Sequence, residues 1–176
     1  QFEQYMDFIG LYGLGCRSAH IFYEDTAKSS VKLREWTEKY GIRQYVCNVQ
    51  EEPTPEYCGK LAESLTVLAE ATEDAGIEIL LHCLYPEVSV YMEGMTAYEW
   101  IIEHCQGRVF MQPDVGFLLR AGIDVNEFLW RNKDIIKTLH YKDWDGSQEV
   151  PTGKGMLDTA ACMQFARYME IPQIID

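Results

Sequence analysis

The chain has 176 residues, of which 47% are hydrophobic and 24% are charged. These proportions are typical of one soluble globular domain and exclude a disordered chain. The formal charge of −13 argues against nucleic acid and anionic membranes as partners, because both bind basic surfaces.

The six cysteines form no C-x-x-C pair, and several of them stand inside apolar runs. This pattern predicts reduced, buried cysteines rather than disulfides or a zinc knuckle. The sequence shows no signal peptide and no apolar run of membrane-spanning length, which predicts a cytoplasmic protein. Both termini, at Gln1 and Asp176, look like cut ends, because each falls inside or directly after a predicted element.

Predicted helices and strands alternate along the chain. Apolar residues at helical spacing predict helices at about residues 2–12, 26–41, 55–76, 97–104, 125–131 and 157–169. Short apolar runs predict strands at residues 16–23, 42–49, 77–84, 108–112, 135–141 and 172–175. The segments 50–55, 85–94 and 143–155 are predicted loops, and 116–122 is a predicted turn or short helix.

Six helix–strand repeats without a hairpin signature indicate an α/β fold with a parallel sheet covered by helices. Two architectures fit this order: an open doubly wound sheet, or part of a (β/α)8 barrel. A whole barrel normally needs about 250 residues. If the fold is a barrel, two βα units are therefore missing, most simply from the N-terminus.

Polar residues follow most of the predicted strands, and in both architectures the chemistry lies at the C-terminal ends of the strands. Glu87, Asp114, His140 and Asp176 together offer three carboxylates and one imidazole. This fairly hard donor set suits Mn²⁺, Mg²⁺ or Co²⁺, and Zn²⁺ is a further option.

Each of these residues also has a simpler explanation. Glu87 could be a solvated loop carboxylate, Asp114 could form an Asx-turn, and His140 could be a core histidine. His82 fits a structural or supporting role, His20 and His104 fit structural or surface roles, and Lys142 could pair locally with Asp143. Their repeated position at strand ends favours a shared metal or small-molecule site.

Five segments in order give the chain a family resemblance. They are Ala75–Glu87, Pro113–Gly116, Leu139–Asp143, Gly153–Asp158 and Ile174–Asp176. In these segments, spanning about residues 60 to 176, the chain resembles the xylose isomerase-like sugar phosphate isomerases and epimerases, which are (β/α)8 TIM barrels. The resemblance implies one partial barrel domain over residues 1–176, with about six βα units and the N-terminal units missing.

The resemblance also implies roles for individual residues. Metal ligands would be Glu87, Asp114, His140 and Asp176, and an acid/base pair would be formed by Glu87 and Asp176. His82, Lys142 and Asp143 would bind substrate or support the ligands. Asp176 is one methylene shorter than the glutamate usual in the family, and Phe117 stands where the family often has histidine.

The predicted function is therefore a metal-dependent isomerase or epimerase of a sugar or sugar phosphate, working through an enediolate. Two alternatives remain: a metal-dependent lyase or hydrolase with the same barrel, or a truncated, non-catalytic binding subunit. An incomplete barrel would expose strand edges, and a homo-oligomer is one way to cover them.

Overall fold

The computed structural model describes residues 2–21, 26–49 and 51–175. Short and long strands together are β1 (Ser18–Ile21), β2 (Gln44–Asn48), β3 (Glu78–His82), β4 (Tyr91–Met92), β5 (Met95–Thr96), β6 (Val109–Gln112), β7 (Leu139–Tyr141), β8 (Asp143–Trp144), β9 (Glu149–Val150) and β10 (Gln173–Ile175). The α-helices are α1 (Phe2–Gly10), α2 (Thr26–Tyr40), α3 (Pro55–Thr72), α4 (Tyr85–Ser89), α5 (Ala97–His104), α6 (Val115–Arg120), α7 (Val125–Arg131) and α8 (Thr159–Tyr168).

Six parallel strands lie side by side in the order β1, β2, β3, β6, β7 and β10. The first four form one sheet and the last two form a second. Isolated bridges from Met111 to Ile136 and from Asp114 to His140 join the two sheets. Spatial order follows chain order without the reversal that a doubly wound sheet requires. The fold is therefore the barrel type of the two predicted architectures, in an incomplete form.

Local sequence signals account for most of the helix and strand boundaries. The Thr54 side chain accepts a hydrogen bond from the Tyr57 amide at 3.2 Å, and Pro55 follows as the first residue of α3. Gly76 adopts a left-handed conformation with φ of 66° just beyond the end of this helical segment. The strand predicted over residues 77–84 is observed as β3, whose last four residues are buried. Burial of both strand faces explains its continuous apolar run.

Three expectations need correction. Two short antiparallel pairs, β4 with β5 and β8 with β9, occur where the sequence showed no hairpin signature. In the first pair, Glu93 and Gly94 form the turn, and both have positive φ. Such a turn normally has the sequence Asn-Gly, so the glutamate made it hard to recognise in the sequence. The predicted loop 85–94 also contains the helix α4. The strand predicted over 135–141 pairs continuously only at 139–141, and Ile136 contributes a single bridge.

The core fills the space between the sheet and its helices. Leu65 and Leu68 of α3, Ile79 of β3, Ile101 of α5 and Phe128 of α7 are fully buried there. Five of the six cysteines are also buried, and all six carry free thiols. Within the described ranges, no helix combines the length and the apolar character needed to cross a membrane.

Candidate metal centre

Three neighbouring strand ends bring His82, Asp114 and His140 together. His82 ends β3, Asp114 stands two residues beyond β6, and His140 lies in the middle of β7. The Nε2 atom of His82 lies 2.7 Å from Nδ1 of His140, and each of these nitrogens lies 3.7 Å from Oδ2 of Asp114. One ligand atom from each residue therefore falls within 4.8 Å of the others.

The two carboxylate oxygens of Asp114 have different surroundings. Oδ1 accepts hydrogen bonds from the backbone amides of Gly116 at 3.0 Å and Phe117 at 3.3 Å. Oδ2 is buried and has no hydrogen-bond partner among the described residues. A buried carboxylate oxygen without a partner is costly, and it needs a cation or a proton. Oδ2 faces the two imidazoles, so this geometry fits a cation held by Asp114, His82 and His140.

The histidine pair fits the same explanation. Only one of the two facing nitrogens can carry a proton in their 2.7 Å hydrogen bond, so the other presents a lone pair. The opposite nitrogen of His82, Nδ1, is buried without a partner among the described residues. Two imidazole nitrogens and one carboxylate form a donor set that binds Zn²⁺, Co²⁺ or Mn²⁺ well.

Cys83 holds the backbone of Asp114 in place. The Asp114 amide donates to the Cys83 sulfur at 3.2 Å, and that sulfur lies 3.9 Å from the Asp114 carbonyl oxygen. Complete burial raises the pKa of the Cys83 thiol well above its ordinary range. The thiol therefore stays protonated, and its role here is to position Asp114.

Glu87 lies close to the end of β3 but does not belong to the converging group. Its side chain turns back to accept a hydrogen bond from the Leu84 amide at 2.7 Å, and the residue is 1% exposed. Burial raises the pKa of this carboxyl group, and the negative charge of Glu52 acts in the same direction. The ligand role of Glu87 stays a prediction. His82, expected to support the ligands, lies instead with Asp114 and His140 in the group that could hold a metal.

The structure separates the roles of Lys142 and Asp143. The Asp143 carboxylate accepts four backbone amide hydrogen bonds, from Trp144, Gly153, Gly155 and Leu157. It therefore stabilises the loop that follows β7, and its carboxylate oxygens are already used as acceptors for these four amides. Lys142 does not pair with it: its Nζ lies 3.5 Å from Glu149 and 5.2 Å from the centre of the Phe117 ring.

His20 is a residue of this region that the sequence pattern did not single out. Its ring centre lies 5.2 Å from that of His82 and 6.1 Å from that of His140. Gln112 donates from Nε2 to the Thr138 hydroxyl at 2.7 Å, which turns its Oε1 toward His20 Nε2 at 2.8 Å. His20 Nε2 must therefore be the donor. The position of His20 near the end of a predicted strand was the available signal. Asp176, the fourth predicted ligand, lies outside the described residues.

Solved structures share this fold. A sugar phosphate isomerase/epimerase from Parabacteroides distasonis ATCC 8503 is 19% identical over 99% of this chain and 67% of its own, with a TM-score of 0.74. The IOLI protein with a binding zinc atom is 14% identical over 97% of this chain and 71% of its own, with a TM-score of 0.68. An AP endonuclease from Brucella melitensis is 9% identical over 97% of this chain and 74% of its own, with a TM-score of 0.75.

No protein-family model matches the sequence, and no curated protein matches it. At identities of 9% to 19%, the structural likeness establishes that the chain shares the fold of these three proteins.

Proposed function

We propose that the protein is a metal-dependent isomerase or epimerase of a sugar or sugar derivative. The observation that carries this proposal is the convergence of His82, Asp114 and His140 around a buried carboxylate oxygen that none of the described residues hydrogen-bonds. The fold supports the same chemistry, because a sugar phosphate isomerase/epimerase has it. A protein of charge −13 is ill suited to DNA, so the endonuclease with this fold is a poor functional guide.

We expect His82, Asp114 and His140 to hold the metal, with Glu87 and Asp176 as further ligand candidates. With two imidazoles, this donor set is softer than the predicted set of three carboxylates and one imidazole. It therefore fits Mn²⁺, Co²⁺ or Zn²⁺ better than Mg²⁺. A bound cation would polarise a substrate carbonyl and so acidify the neighbouring C–H bond.

In this proposal the protein's own groups move the proton. Glu87 takes the proton from the carbon beside the carbonyl, giving an enediolate, and Asp176 is the proposed partner that returns one. The buried position of Glu87 raises its pKa, which suits a carboxylate that must both accept and release a proton near neutral pH. His20 lies against the histidine pair and is placed to orient a substrate hydroxyl.

Metal binding is the first test. Purified wild type should bind Mn²⁺, Co²⁺ or Zn²⁺ in a 1:1 ratio, and Asp114→Asn and His140→Ala should each bind at least about 10-fold more weakly. The matched controls are Asp134→Asn and His104→Ala, whose side chains lie on the surface. Equal metal affinity in Asp114→Asn and Asp134→Asn would contradict the assignment.

Proton exchange tests the reaction. Metal-loaded wild type should exchange the proton beside the carbonyl of a ketose with D₂O, and Glu87→Gln should lower that rate by about 100-fold or more. A lyase would instead release an unsaturated product, and a hydrolase would cleave a bond to oxygen. Metal binding without exchange of any ketose proton would favour these alternatives or a binding subunit. Location in the cytoplasm stays a prediction from the sequence.

A further inference from the structure

Arg120, the last residue of α6, carries a cation on the short helix that begins directly after Asp114. Its guanidinium lies 4.1 Å from the centre of the Tyr85 ring and 5.0 Å from that of the Trp144 ring. No ion pair or hydrogen bond joins Arg120 to another residue in the ranges that the structure describes. In a protein of charge −13, an arginine without a carboxylate partner needs an explanation.

Two aromatic rings contact this cation. Cation–π contacts of this kind leave the guanidinium charged, and its N–H donors form the fork that binds carboxylate and phosphate groups. Tyr85 opens α4, the helix that carries Glu87. Trp144 follows His140 by four residues. Arg120 also lines a small cavity with Gly116, two residues after Asp114, and Lys142, two residues after His140, so its cation lies close to the segments that carry two of the candidate ligands.

A second cation faces the same small cavity. Arg120 and Lys142 both line it, together with Phe117, Trp144 and Glu149, and its volume is about 10 Å³. This space admits a group of about the size of one oxygen atom and is far too small for a sugar ring. Glu149, whose side chain is 56% exposed, pairs with Lys142 at 3.5 Å. Such a surface ion pair is weak, and an incoming anion can replace it.

We propose that Arg120 and Lys142 bind an anionic group of the substrate, at a distance from the reacting carbonyl. The substrate is then a sugar phosphate or a sugar acid, and not a neutral sugar. This inference rests on the proposed function for its reaction, and it adds the substrate class. Binding energy from such a remote group positions the reacting carbons against the site.

Direct binding of inorganic phosphate tests the anion site without any reaction. Titration calorimetry of metal-loaded protein should show that Arg120→Ala binds phosphate at least about 10-fold more weakly than wild type, and Arg120→Lys should fall between them. Glu149→Gln should bind phosphate more tightly, because it removes a negative charge from the lining of the cavity. Arg167→Ala, a change on the exposed face of α8, is the control and should bind as wild type does. Metal affinity and melting temperature confirm that each variant is folded.

The substrate class is tested with three ketoses of equal chain length: one neutral, one phosphorylated and one carrying a carboxylate. Wild type should exchange the α-proton of at least one anionic ketose with a kcat/KM at least about 10-fold above that of the neutral ketose, and Arg120→Ala should remove the preference mainly through KM. Equal exchange of all three would overturn the substrate class and leave the proposed function intact. Arginine-dependent phosphate binding without any exchange would overturn the proposed function alone. Unchanged phosphate binding in Arg120→Ala would overturn this inference.

Discussion

Asp114 uses its two carboxylate oxygens for different tasks. One oxygen accepts hydrogen bonds from the amides of Gly116 and Phe117. The other faces His82 and His140 and has no hydrogen-bond partner within the part of the chain that the structure describes. The first task is the Asx-type turn that the sequence also suggested, and the second is the proposed ligand. The two explanations are therefore compatible, because a carboxylate has two separate acceptors.

A pH-dependent effect on stability is expected at Glu87. Burial raises its pKa above the ordinary value of 4.5, so the native state favours the protonated carboxyl. That stabilising contribution is complete below the unfolded pKa, and it is lost as the pH rises through the native pKa. The free energy of unfolding of wild type, relative to Glu87→Gln, should therefore fall as the pH rises from below 4.5 through the raised native pKa of Glu87. Urea titrations at several pH values measure this difference in metal-free protein.

The control for this measurement is Glu103→Gln, because Glu103 lies on the exposed side of α5. A wild-type stability that ran parallel to that of Glu87→Gln across the whole pH range would contradict the prediction.

Sequence patterns located individual residues unevenly. Asp114 and His140 could be found because they follow apolar runs that end in polar residues. His82 was placed in a supporting role because it stands inside its strand, and strand ends were taken as the place for ligands. His20 was not singled out, although it lies near the end of a predicted strand. Arg120 could not be, since its contacts come from segments that are distant in sequence. Contacts between segments that are distant in sequence produce no characteristic spacing of residues along the chain.

At the scale of elements, α6 and the segment after β7 approach each other at Gly116. A Cβ atom added there would lie 2.8 Å from the Lys142 carbonyl oxygen, which is far inside van der Waals contact. Gly116→Ala should therefore push α6 away from β7, destabilise the protein by about 2–4 kcal/mol and weaken metal binding. Chemical denaturation and metal titration measure the two effects.

Gly59 in α3 provides the matched comparison for this substitution. No atom lies within 4 Å of an added Cβ there, so Gly59→Ala should stabilise the protein by about 0.5–1 kcal/mol. Destabilisation of similar size by both substitutions would show that the close approach at Gly116 is not the cause.

The loop between β7 and α8 depends on Asp143. Burial alone would raise the pKa of this carboxyl group, but its four backbone amide donors outweigh that effect and hold the pKa below its ordinary value. The resulting stabilisation is present at neutral pH and is lost as the pH falls through the native pKa. Asp143→Asn should therefore cost about 2–4 kcal/mol at pH 7. It should also speed proteolysis between residues 145 and 156.

The surface substitution Asp134→Asn is the reference for Asp143→Asn, because the Asp134 side chain is 82% exposed. The difference in unfolding free energy between these two variants should shrink as the pH is lowered toward 3. A difference that stayed constant with pH would mean that the charge of Asp143 contributes nothing to the loop.

At the scale of the whole molecule, a metal that binds three strand ends in the native state alone should stabilise the entire domain. At a free metal concentration 100 times Kd, the expected gain is about 2.7 kcal/mol. The melting temperature of wild type should therefore rise with Mn²⁺, Co²⁺ or Zn²⁺, while that of Asp114→Asn should not. An equal rise in both proteins would point to metal binding elsewhere.

The overall architecture was largely predictable from the sequence, because continuous apolar runs and alternating helices specify a parallel sheet. The choice between barrel and doubly wound sheet was not, since it depends on which strands are neighbours. That order appears in the strand pairings, from β1 to β6 within one sheet and through the isolated bridges from β6 to the segment of β7. The antiparallel pair of β4 and β5 escaped prediction for a local reason, the glutamate at its tight turn.

The junction between β6 and β7 has a consequence for the motions of the protein. His82 and Asp114 belong to the side with four continuous strands, and His140 belongs to the side with β7 and β10. A cation bound by all three residues would act as a removable cross-link between β6 and β7, which only isolated bridges join. Amide hydrogens of β7 and β10 should then exchange slowly with solvent only while the cation is bound. The rate of cation release should equal the rate at which β7 separates from β6.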